Sequence, residues 1–233
     1  MRSAWLAVAL GACGRFAFDP IGDAASEPGA PQLVAVETMK SRNATITLSI
    51  PPVTPGDLVV VMIAAYDTSA VVASVVDDTG ANQYDATGAR STSKDAHTEI
   101  WYAANAQPGA TQLTATLTKP VGGGLWFAEF SNIARANPLD KASIGNGPTT
   151  AMVTAPTVDT SAADELVISM LVVSAGGATG VTSGNPFIAL PDISGDASAY
   201  VVAAQPGTWG AAWDTDGGGT VCASTAAFTP IAP

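Results

Sequence analysis

Two glutamates come closest to a hydrolytic pair in this chain. Glu99 stands in "TEIWYAANAQ" and Glu129 in "GGLWFAEFSN", each in a strand-like stretch beside aromatic residues. Cleavage of a glycosidic bond needs two carboxyl groups about 5–9.5 Å apart, one to protonate the leaving oxygen and one to act as base or nucleophile. Alternation along a strand puts Glu99 on the face of Trp101, with Ile100 and Tyr102 on the other. A glycan-active hydrolase using Glu99 and Glu129 is one expectation; two solvent-facing carboxylates is the plainer one. The single histidine, His97, lies in the polar "SKDAHTE", where a triad would need a nucleophile and an acid beside it. With one His and two Cys, no zinc ligand set can be assembled. "DTDGGG" puts Asp214 and Asp216 beside a glycine turn, the nearest approach to a calcium site. Asp and Gly are also the ordinary residues of β-turns. No catalytic residue, cofactor or metal is expected beyond that weak calcium candidate.

Trp101, Trp126, Trp209 and Trp213 lie in the body of the chain. Aromatic rows on a sheet stack on sugar rings or anchor a protein partner, and they equally fill a sandwich core. Trp126 follows "VGGG", which has the composition of a hairpin tip, and is expected nearest the surface. The polar stretch 77–98 is expected to form a loop, and recognition tends to sit on loops carried by rigid sheets. Trp126, Trp101, Asp85, Arg90 and Lys94 are therefore the expected ligand-binding set, with a carbohydrate or a surface protein as partner.

The elements that would position these residues are strands. "ATITLSI" and "TQLTATLT" alternate apolar and polar residues, while "DLVVVMIAA" and "ELVISMLVV" are continuous apolar runs, the mark of strands covered on both faces. Turn residues punctuate the chain throughout, as in "PPVTPGD", "QPGA" and "SGNP"; only "ARANPLDKA" and "TSAAD" suit a helical turn. The two halves also match. Leu58 aligns with Leu166, 108 positions on, and Tyr102 with Tyr200, 98 positions on, so the second half lacks part of 77–98. Ala197 and Ala227 stand where the first half has Glu99 and Glu129. The expected fold is all-β: an antiparallel, jelly-roll-like β-sandwich over 33–233, built from sequence-similar halves of about 33–140 and 141–233. These are expected to face each other across one shared interior, joined by 137–152 as a short connection.

A net charge of −11 with no cluster of Lys or Arg argues against nucleic acid as a partner. Cys222, in the apolar "TVCASTAAF", reads as a buried, inert thiol. The chain opens "MRSAWLAVALGACGRF": one arginine, an apolar run too short to span a bilayer, then small residues. Leu10-Gly11-Ala12-Cys13 resembles the lipobox of bacterial lipoproteins. That resemblance implies a signal peptide over 1–12, lipid on Cys13, and attachment to a membrane, the outer one in a Gram-negative cell because Gly14 replaces the usual retention Asp. Residues 13–32, rich in Gly, Pro and Ala, read as a flexible tether. "SVVDDTGANQY", "TEIWYAANAQPGATQLTATL", "AEFSNI" and "NPLD", continued by "ADELVISMLVV" and "AAQPGTWGAAWDT", resemble a sandwich module of secreted bacterial and phage-associated proteins. It implies a fold and an extracytoplasmic place, often in adhesive proteins, with no family-wide catalytic residues. The expected function is a cell-envelope lipoprotein with a non-catalytic binding or adhesion module, with a structural surface protein as the alternative.

Overall fold

A computed structural model describes residues 29–232. Among them there is no helix, and every pairing between strands is antiparallel. The first eight strands are β1 (Gln32–Ser41), β2 (Thr45–Ser49), β3 (Leu58–Ala65), β4 (Val72–Asp77), β5 (Asp85–Thr92), β6 (His97–Ala103), β7 (Gln112–Leu117) and β8 (Gly123–Ser131). They make a five-stranded sheet, β1-β8-β3-β6-β5, covered on one face by a three-stranded sheet, β2-β7-β4. Pairing first with eighth, second with seventh and third with sixth is jelly-roll connectivity, a hairpin ribbon folded over on itself.

Ten further strands follow: β9 (Leu139–Pro148), β10 (Met152–Thr154), β11 (Val158–Thr160), β12 (Glu165–Val173), β13 (Ala178–Val181), β14 (Ile188–Ala189), β15 (Ala197–Ala203), β16 (Gly207–Trp209), β17 (Ala212–Thr215) and β18 (Thr220–Phe228). Their orders are β9-β18-β12-β15-β14 and β10-β17-β13, with β11 and β16 paired beside them. Apart from β11 and β16, which have no counterpart, the sheet order repeats that of the first half. The two five-stranded sheets face each other, so the molecule has four layers and three apolar interiors rather than the single one expected. Alternation along β3 explains it. Val59, Val61 and Ile63 point outward, against Ile46, Leu48 and Leu113. Leu58, Val60 and Met62 point inward, against Leu166, Ile168, Met170 and Phe228 of the second half. On β12, Val167 and Leu171 face outward in turn, against Val153 and Trp213. Both central strands are buried along their whole length, hence their unbroken apolar sequences.

Three stretches differ from expectation. Within 77–98, residues Asp85–Thr92 form β5, an edge strand that packs Thr87, Ala89 and Ser91 inward. Within 137–152, residues Leu139–Pro148 form β9 and pair along β18. Both strands are rich in Thr, Ala, Ser and Gly, whose alternation leaves little hydropathy contrast to detect. The turns at "ARANPLDKA" and "TSAAD" are made by Asn137 and Asp164, both left-handed, as short polar side chains allow.

Candidate functional site

The register gives the molecule two distinct ends. Gly29 lies with Ala162, Asp164, Thr229 and Ile231 around a cavity of about 480 Å³, which defines the near end. β1 enters there, Gln32 opposite Ser131, and runs to the far end, where Ser41, Gly123, Ala65 and His97 line up across four strands. In the second half Phe228 lies near and Val221 far, opposite Gly147 of β9.

The far end carries a trench that crosses both halves. It consists of three depressions of about 210, 230 and 290 Å³, the first two sharing Lys94 and the last two sharing Asn146 and Gly147. Tyr66, Asp67, Thr68 and Asp95 line its first part, the β5–β6 hairpin tip at Thr92–Lys94 its middle, and Thr150, Met152, Thr154 and Pro156 its last. Gly145 and Gly147 let the β9 backbone form the floor. A side chain at Gly147 would meet open space, so the groove there is the room that a Cβ leaves. The Asn146 amide donates to the Thr92 carbonyl at 2.8 Å, which fixes the side chain and leaves its oxygen free to accept.

Beneath the first part of the trench lies a buried charged group centred on Glu99. Arg90 Nε donates to Glu99 Oε1 at 3.1 Å, Trp101 Nε1 donates to Oε2 at 3.1 Å, and His97 Nε2 stands 3.4 Å from Oε1. Burial holds the His97 pKa down against the pull of the Asp67 carbonyl and Glu99. Its Nδ1 faces the Asp67 carbonyl at 2.9 Å and therefore carries the hydrogen. Arg90 also donates to the Thr68 carbonyl at 2.8 Å. Above, Lys119 Nζ lies 2.6 Å from Asp67 Oδ2, and with the Ser69 bonds it holds that carboxyl well below the usual range. The 67–69 turn is thus clamped from both sides.

The remaining sequence candidates are dispersed. Lys94 lies on the trench, and Arg90 and Trp101 lie below it, but Asp85 is exposed towards the near end, opposite Tyr102. Trp126 is fully buried in the central interior, donating from Nε1 to the Pro191 carbonyl at 2.7 Å, and not at a surface tip. The "VGGG" run explains the difference. A Cβ on Gly123 would strike the Ala64 carbonyl oxygen, and one on Gly124 would meet Ile193 at 2.8 Å, so these glycines admit close packing within a strand. Glu99 and Glu129 lie on opposite sides of β3, facing Ile63 and Val59. Four residues of rise and two strand spacings separate them by about 16 Å, well beyond the range of a hydrolytic pair. Both are buried rather than solvent-facing. Asp214, on β17, accepts from the Thr182 hydroxyl at 2.9 Å, and Asp216 accepts from the Gly177 amide at 2.7 Å. Among the described residues no group of three or more His, Cys, Asp or Glu could hold a metal ion. Cys222 is buried, and burial pushes its thiol up to about 11. Cys13 and the lipobox lie outside the described residues.

Glu129 has a structural task with a counterpart in the other half. It accepts from the Thr54 amide at 2.6 Å beside Asp57, whose carboxyl burial and the Glu129 charge raise to about 6. In the second half Glu165, aligned with Asp57, accepts from the Ser161 and Ala162 amides at 2.7 Å, and Ala227 fills the place of Glu129. The same turn is held by one carboxylate in one half and by a pair in the other.

No family model, curated protein or solved structure matches the chain. Among the described residues no helix is long and apolar enough to cross a membrane.

Proposed function

We propose that this chain is a cell-envelope lipoprotein whose double sandwich binds an extended glycan in the far-end trench, without catalysis. The observation that carries the reading is the row of three adjoining depressions, drawn from both halves and sharing Lys94, Asn146 and Gly147. Its length suits a polymer. Its lining of threonine hydroxyls, one amide, one lysine and two aspartates suits hydroxyl-rich sugars, and the half-exposed Tyr66 offers a ring at one end. Gly29, the first described residue, lies at the end opposite the trench. Two or more acyl chains on Cys13 hold a lipoprotein firmly, at about 0.8 kcal/mol per buried methylene.

A glycan microarray probed with wild type and with Lys94→Ala and Asn146→Ala tests the binding half. Wild type should retain a polymer class that both variants lose; no bound glycan, or binding unchanged in both variants, contradicts it. Metabolic labelling with a palmitate analogue should mark wild type and spare Cys13→Ala.

A further inference from the structure

The seam between the two five-stranded sheets is apolar at its near end and hydrogen-bonded at its far end. Near, Tyr102 meets Phe228 and Phe130 meets Tyr200 edge to face, with ring centres 5.4 and 5.3 Å apart. Far, Lys40 reaches Ser194, Tyr66 reaches Asp196, and Thr98 reaches Ser224, each at 2.6 Å. Asp196 stands apart. It is 1 % exposed, its Oδ2 accepts from the Tyr66 hydroxyl, and its Oδ1 is buried with no partner among the described residues. A carboxylate offers about four acceptor sites, and here the Tyr66 hydroxyl serves it, with the Val173 amide as the other neighbouring donor.

We propose that Asp196 is a proton-operated latch: neutral, it lets the far end of the seam close, and on losing its proton it loosens that end about the aromatic end as a pivot. This does not depend on what the trench binds. The groups facing Asp196 are few. Tyr66 comes from the end of β3, Lys40 from β1, with its ammonium on Ser194, and Cys222 from β18. Burial raises the Asp196 carboxyl to about 7, against the Tyr66 hydroxyl, the Val173 amide and the Lys40 charge. Above that pH the proton passes to solvent and leaves a negative charge with no cation in contact. Such a charge is relieved by admitting water, and the far end is where water can enter.

The test uses Cys222, buried in the same interior and the one thiol left when Cys13 carries lipid. In the full-length lipidated protein, its labelling by a small neutral maleimide is followed from pH 5.5 to 8.5, in wild type and in Asp196→Asn. Between pH 6 and 8.5 the wild-type rate should rise at least tenfold more than that of Asp196→Asn, which stays latched. The control is conservative, because removing the Asp196 charge by itself favours the thiolate. Equal rises in the two proteins overturn the proposal. Should Asp196→Asn not fold, hydrogen exchange of the wild type decides. After correction for intrinsic rates, amides at 93–98 and 190–198 should lose protection between pH 6 and 8 while those at 128–131 and 200–203 keep theirs. Equal change at both ends overturns it.

Discussion

The near end of the central seam is closed by four rings, the far end by hydroxyls, amides, one lysine and one aspartic acid. The difference separates what holds the halves together from what sets their alignment. Apolar contact at the near end is insensitive to small shifts and supplies most of the attraction. Hydrogen bonds at the far end are lost with a shift of an ångström, so they fix register there, at the end that forms the trench. That end also contains the ionisable group, which makes its closure conditional on pH.

Removing a ring should have the largest effect. Phe228→Ala, at a fully buried position on the seam, is expected to lower stability by about 3–5 kcal/mol, read as a shifted urea midpoint. A loss below 1 kcal/mol would erase the distinction between the ends. Next comes pH. The folded carboxyls of Asp196 and Asp57 titrate near 7 and 6, above their unfolded values, so between about pH 4 and 7 the folded chain binds the extra protons. Stability is therefore greatest below pH 4–5 on their account and falls as pH rises through 7, by roughly 2–4 kcal/mol from Asp196 alone. His97, whose pKa burial lowers, adds an opposite slope in both proteins, so denaturation midpoints should fall more steeply with pH in wild type than in Asp196→Asn; equal slopes contradict the assignment. Smaller still, Ser224→Ala removes the hydroxyl that donates to the Ala89 carbonyl and accepts from Thr98, and should cost about 1–2 kcal/mol. Its effect with Thr98→Val should fall short of additive. Lys94→Ala closes the series: within about 0.5 kcal/mol of wild type in stability, because it is exposed, yet impaired in glycan retention.

The all-β class and the two doubly buried strands, β3 and β12, were legible because unbroken apolar runs announce burial on both faces; the four layers were not, because a run covered on both faces does not say what covers each face. Nor were the edge strands β5 and β9. Their inward residues, Thr87, Ala89, Ser91 and Gly145, carry no hydropathy signal, and only the sheets around them make them strands. Trp126 was misplaced for a related reason, since glycines that permit close packing look the same in sequence as glycines that permit a bend. The aligned acids before the apolar runs, Asp57 and Glu165, could have been found, because "PGDLVVV" and "ADELVIS" put them at one position; their partner amides come from the fold alone. Asp196 has no signal at all. In "LPDISGDAS" it is an ordinary turn residue, and only the opposing half buries it.

The account rests on two sandwiches that each need the other's central sheet. Expressing 29–138 and 139–233 separately, and together, tests this most directly by sedimentation and circular dichroism. Each half alone should aggregate or lack a cooperative transition, because it exposes the face of Leu58, Met62, Trp126 and Phe130 or that of Leu166, Ile168, Met170 and Phe228. The co-expressed halves should recover a folded 1:1 complex. Either half folding alone as a stable monomer, with its central face in water, would contradict the shared seam on which the trench and the latch depend.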